Sequence, residues 1–175
     1  NAVQKYPYRV IPFFNPGIGG EDVEELLGEP IMIQYRKGLQ DSKNLVGNNF
    51  IRGLGEVETQ EWSVRHTDPK VLQIVNLAKA NRLHFMFHPV ASKIDDVKKL
   101  IEAYPKTTFL IHMYRSDLRK SRAKLIEILK SHYNLYFSID AAHIAPPRFD
   151  NLSYPIGVRK ESNDTAQLRP PPQQA

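Results

Sequence analysis

The chain of 175 residues contains no cysteine, which excludes disulfide staples, thiolate metal sites and thiol nucleophiles. It also lacks any run near the roughly 18 to 20 consecutive apolar residues that a membrane helix needs. The N-terminal "NAVQKYPYRV" has no charged-then-apolar signal layout. A soluble, cytoplasmic chain with no membrane partner is therefore the expectation. An excess of one charge is scarce outside one place: much of the formal +5 sits in "RSDLRKSRAKLIEILK" (115–130), with six basic and two acidic residues. No aromatic residue interleaves there, as a single-strand nucleic-acid binder would require, so a solvated helix face is the simpler reading and no nucleic-acid partner is expected.

What is present is ordinary globular material, 41% hydrophobic and 25% charged, enough for one sizeable core. From residue 8 to about 140, β-type runs alternate with amphipathic stretches, the pattern of βα units around a parallel sheet. Six strands are expected: "RVIPFF" (9–14), "PIMIQYR" (30–36), "FIRGLGEVE" (50–58), "LHFMFHPV" (83–90), "TTFLIHMY" (107–114) and "NLYFSID" (134–140). Between them, Asp68 is placed to cap a helix opened by Pro69, with Val71, Ile74, Val75 and Ala78 on one face. Ser92 and Asp95 suggest a capping box before a stripe of Ile94, Val97, Leu100, Ile101 and Tyr104. Leu118, Leu125, Ile126 and Leu129 mark a third such face. After Ile144 the character changes, since residues 145–175 hold six of the 13 prolines and end in "RPPPQQA". The expected division is a folded domain over 1–144 and an extended or disordered Pro-rich tail over 145–175.

Strand alternation sorts the polar residues. Phe85 and Phe87 oppose His84, Met86 and His88, and Phe109, Ile111 and Met113 oppose Thr108, Leu110 and His112. Glu56 and Glu58 oppose Val57, while Tyr136, Ser138 and Asp140 oppose Leu135, Phe137 and Ile139. If the apolar faces meet the helices, Glu56 or Glu58, His88, His112 and Asp140 lie near C-terminal strand ends on the other face, which is the rim where barrel active sites form. Two imidazoles with one or two carboxylates suit a divalent metal, Zn²⁺ first and Mn²⁺ or Fe²⁺ as alternatives. Such an ion lowers the pKa of its bound water toward about 7, making hydroxide available for hydrolysis.

Plainer readings stand beside these. A strand histidine is often a hydrogen-bonded core residue, the reading kept for His84. Glu58 could pair with Arg36 or Lys37, and Asp140 could cap a loop. His66, His132 and His143 read as surface or loop residues. Arg36, Lys37 and Arg115 could bind an anionic substrate group, although exposed basic side chains are usually only solvated.

Taken together, "GLGEVE", "FMFHPV", "YPKTTFLIHM" and "HYNLYFSID" resemble the amidohydrolase superfamily, especially the amidohydrolase-2 group and its TatD-like relatives. The resemblance covers roughly residues 8–140 and implies a (β/α)₈ TIM-barrel-like α/β fold. It also implies metal ligation by Glu56, His88 and His112, which follow one another at about 30 and then 24 residues. Two of the family's features are missing: no H-x-H pair occurs anywhere in the chain, and no "GSD"-like final aspartate follows. By this count strands two to seven are present and the first and last are not. A fragment of a longer chain, closure by another chain or by the tail, and a degenerate barrel are the three ways to account for that.

The function expected is a metal-dependent hydrolase acting on an amide, ester or related bond of a small-molecule substrate. Glu56, His88 and His112 would be its ligands, and Arg36, Glu58, Arg115 and Asp140 its candidate substrate contacts. The alternatives are a non-catalytic binding or scaffold protein, with self-association as one route to closing the sheet, and nucleic-acid binding through 115–130.

Overall fold

The computed structural model describes residues 11–17, 27–46, 50–59 and 61–138, together with Lys5. These residues form an α/β structure with a five-stranded sheet: β1 (Phe13–Phe14), β2 (Gly53–Val57), β3 (His84–Phe87), β4 (Phe109–His112) and β5 (Leu135–Ser138). Spatial order follows chain order and every neighbouring pair is parallel. Four helices connect them: α1 (Glu29–Val46), α2 (Pro69–Ala80), α3 (Ile94–Ala103) and α4 (Arg115–Ser131). No described helix is long and apolar enough to cross a membrane.

Local chemistry explains most of these elements. The Asp68 carboxylate accepts the Lys70 N–H at 2.8 Å and Pro69 opens α2, whose stripe of Val71, Ile74, Val75 and Ala78 is fully buried. The stripe of α3 is buried likewise at Ile94, Val97, Leu100 and Ile101. The expected Ser92–Asp95 capping box does not form. A 3₁₀ turn, Ala91–Lys93, leads into α3 without a side-chain cap, and Asp95 pairs with Lys124 instead. On α4, Leu125 and Ile128 are buried while Ile126 faces solvent.

One expected strand is a helix. Residues 30–36, "PIMIQYR", lie inside α1, so five strands replace the six expected. The wider window gives the reason: Ile31, Met32, Tyr35 and Leu39 are buried at helical spacing, while Ile33, Arg36, Lys37 and Gln40 are exposed. Alternation over seven residues was too short to separate the two periods. Of the expected strand over 9–14, Phe13–Phe14 is strand, residues 11–12 are not and residues 9–10 lie outside the described residues; β5 is described as far as Ser138. The Pro-rich segment 145–175 lies outside the described residues.

The core lies between one face of the sheet and the helices. Leu54, Val57, Phe85, Phe87, Phe109 and Ile111 are fully buried against Ile74, Val75, Leu100 and Ile101. Phe109 meets Phe85 and Phe87 edge-on, with ring centroids 6.0 and 6.3 Å apart. Each such side chain contributes roughly 1.5 to 3 kcal/mol by leaving water, so this face holds the fold together.

An irregularity in β2 orients the other face. Leu54 pairs with Phe85 and Val57 with Phe87, so Gly55 and Glu56 together stand opposite Met86 alone. This bulge lets both Leu54 and Val57 reach the helices, three residues apart, and turns Glu56 to the opposite side. Only glycine suits position 55. Its φ is +118°, and a Cβ there would lie 2.0 Å from the Met86 carbonyl oxygen.

Candidate metal centre

Three parallel strands bring their C-terminal ends together on the face away from the helices. β2 supplies Glu56 through the Gly55 bulge, β4 ends at His112, and His88 follows β3 directly. The His88 N–H still bonds the Val57 carbonyl at 2.9 Å, so its backbone extends the sheet although the regular strand has ended. One ligand atom from each of Glu56, His88 and His112 lies within 4.8 Å of the other two. The expected grouping of these residues on one face depends, for Glu56, on the bulge at Gly55 rather than on simple alternation.

The arrangement is tight on one side and open on the other. His112 Nδ1 lies 2.6 Å from Glu56 Oε1, a short charge-assisted hydrogen bond. His88 Nδ1 lies 3.6 Å from the same oxygen and 3.4 Å from Glu58 Oε2, beyond ordinary hydrogen-bond range. Both His88 Nδ1 and Glu58 Oε2 are buried without a hydrogen-bond partner among the described residues. An orphaned polar atom costs about 1 to 3 kcal/mol, and two facing each other mark a place that a cation between them would stabilise.

On its other side, His88 Nε2 receives the Tyr114 N–H at 3.3 Å, which assigns the ring proton to Nδ1. Holding an ion on Nδ1 moves that proton to Nε2 and gives up this long contact. The His88 ring also packs against Tyr114, with centroids 4.3 Å apart. His88 is fully buried, whereas Glu56 and His112 stay partly open to solvent. The Glu56 carboxyl titrates above its ordinary range. Burial is the main cause, the Glu58 charge adds to it, and the His112 hydrogen bond opposes it. The Tyr114 hydroxyl is raised too, first by desolvation and then by Glu58 and the other nearby carboxylates.

The candidate substrate contacts are placed differently. Glu58 stands beside His88, as above. Arg36 is on the exposed side of α1, paired with Glu29 at 2.7 Å, rather than at a strand end. Arg115 opens α4, two residues beyond Met113. Asp140 and His143 lie outside the described residues. His84, expected to be a hydrogen-bonded core residue, is half-buried and stacks on Phe13 at 6.4 Å.

Two residues were underestimated. His66, expected to be a surface or loop residue, lies in the loop after β2 but is fully buried, and its Nε2 accepts the Val90 N–H at 2.9 Å. Its ring meets Phe87 edge-on at 5.5 Å, and burial pushes its pKa down to about 4. Thr59 was not singled out, yet its buried hydroxyl donates to the His88 carbonyl at 2.6 Å. Both follow β2 in segments without periodicity, so no pattern announced their burial. His132, also expected at the surface, is half-buried, with Nδ1 3.0 Å from the Ile128 carbonyl oxygen and Nε2 3.6 Å from Glu102. Comparison of the chain with models of known protein families, with curated proteins and with solved structures finds no match.

Proposed function

We propose that this chain carries the metal centre of a hydrolase of the amidohydrolase type, on a sheet that forms part of a (β/α)₈-like barrel. The observation that carries the reading is the convergence of Glu56, His88 and His112 from three successive strands to within 4.8 Å. The orphaned His88 Nδ1 supports it, because an ion there would satisfy a buried atom that lacks a partner. Two imidazoles and a carboxylate suit Zn²⁺, with Mn²⁺ and Fe²⁺ as alternatives, and the carboxylate offsets the ion's charge. When bound, such an ion lowers the pKa of water toward about 7 and polarises a carbonyl or phosphoryl oxygen.

The chain's own residues have separable tasks in this reading. Glu56 and His112 present ligand atoms from the solvent-facing side, where a small-molecule amide or ester would approach. His88 anchors the buried side. Glu58 Oε2, 3.4 Å from His88 Nδ1, offers a second carboxylate beside the buried side of the cluster. Arg115 and Asp140 remain proposed substrate contacts.

The test is metal analysis of the 175-residue chain purified without chelators, followed by Zn²⁺ titration of wild type, His88→Ala and His112→Ala. Stoichiometric metal in the wild type, with loss of affinity in both variants, is expected. Activity toward a panel of amide and ester substrates should be lost on chelation and restored by the ion. Absence of bound transition metal, with equal titrations for all three proteins, would sink the proposal. A second reading, a non-catalytic binding protein, is favoured by the absent H-x-H pair. It predicts metal or ligand binding without turnover.

A further inference from the structure

We infer that Thr59 and His66 are positioning residues that fix His88 for ion binding, an inference that rests on the metal reading above. The argument begins where β3 ends, at Phe87. Beyond that point the sheet still takes the His88 N–H, which bonds the Val57 carbonyl, but not the His88 carbonyl or the Val90 N–H, and Pro89 has no N–H of its own. The two groups flanking the proline are instead taken by side chains. The His88 carbonyl accepts from the Thr59 hydroxyl at 2.6 Å, and the Val90 N–H donates to His66 Nε2 at 2.9 Å. Thr59, His66 and His88 are all fully buried.

The segment that supplies this grip is itself secured. The Thr59 N–H bonds the Val57 carbonyl at 3.0 Å, and the Val64 N–H bonds the Thr59 carbonyl at 3.2 Å. Arg65, next to His66, makes two hydrogen bonds to Asp96 on α3, at 2.8 and 3.0 Å. Thr59 and His66 therefore link the end of β2 to the histidine after β3, and Arg65 ties the segment to α3. A ligand on an irregular segment gains from such support, because small displacements of the imidazole remove it from coordination distance. The neighbouring Pro89 leaves these two bonds as the local restraints on the His88 carbonyl and the Val90 amide among the described residues.

The test uses pairs of variants. Thr59→Val keeps the shape and removes the donor, while Thr59→Ser keeps a hydroxyl. His66→Leu removes the acceptor, while His66→Gln keeps one near the position of Nε2. Zn²⁺ affinity is measured by chelator competition at a temperature where circular dichroism shows each variant folded. Thr59→Val and His66→Leu should weaken binding about 10-fold or more, the usual scale for residues supporting a ligand. Thr59→Ser and His66→Gln should remain near wild type. The visible spectrum of the Co²⁺-substituted protein should change in the first pair and not in the second.

If wild type binds no ion, the metal reading falls by itself, and the imidazole NMR resonances of His88 decide the positioning role. Thr59→Val should then move them more than those of His84, on the same strand. Wild-type Zn²⁺ affinity in a folded Thr59→Val, or His88 resonances no more displaced than those of His84, overturns the inference. Should Thr59→Val fail to fold, the His66 pair is judged by the same two readouts.

Discussion

On the face of the sheet that meets the helices, Leu54, Val57, Phe85, Phe87, Phe109 and Ile111 are fully buried, whereas on the opposite face Glu56, His84, Met86, Leu110 and His112 keep partial contact with solvent. The first face has no polar group to satisfy and gains from every methylene removed from water. The second holds carboxylates and imidazoles, where burial, with Glu58 close by, raises the Glu56 pKa. The apolar core and the titratable cluster thus occupy opposite sides of the same strands. His88 is the exception, a polar residue of the second face buried as deeply as the core, and the segment after β2 makes that possible.

The comparison can be broken most severely on the apolar side. Phe87→Ala should destabilise the chain by about 3 to 5 kcal/mol, from lost transfer energy plus the cavity left among Phe85, Phe109 and His66. Urea unfolding measures it. Acid should act next, through His66. Its folded pKa lies below the unfolded value, so the unfolded chain binds more protons between them. The neutral ring's contribution is complete above 6.5 and is lost as pH falls to about 4. The drop from 6.5 to about 4 corresponds to about 3 kcal/mol. His66→Gln should flatten the dependence of stability on pH across that window, and a retained slope would assign it to other groups.

On the polar side, Glu56→Gln keeps an oxygen for His112 and removes a half-buried charge. Stability in ion-free buffer should change by no more than about 1 kcal/mol, while Zn²⁺ affinity falls sharply. The opposite outcome, unfolding with unchanged affinity, would mean that Glu56 belongs to the scaffold. The smallest effect is expected at Arg36→Ala, where an exposed pair with Glu29 contributes about 0 to 1 kcal/mol. Neither ion binding nor turnover should change there.

Much of the site was legible because strand parity is rigid. Phe85 and Phe87 must point away from His84 and His88, and Phe109 and Ile111 away from His112. The resemblance pointed to the same three residues that the sheet brings together. The misread stretch, "PIMIQYR", is rich in residues that suit either period, and its helical character becomes plain only when Leu39 and the polar positions beyond it are included. The bulge at Gly55 was hidden for a different reason. Simple alternation would put Leu54 and Glu56 on one side, and only the register against Phe85 and Phe87 separates them.

The sequence by itself determined the apolar alternation of the strands, the capped start and buried stripe of α2, and the order in which one carboxylate and two imidazoles reach the strand ends. Those are properties of neighbouring residues, set by backbone geometry and local hydrogen bonding. Tertiary structure decided that Glu56 turns toward His112 and that Thr59 and His66 hold the backbone around His88. These depend on contacts between residues 24 to 56 positions apart. Such pairings exist only once the sheet has registered and the helices have closed over one of its faces.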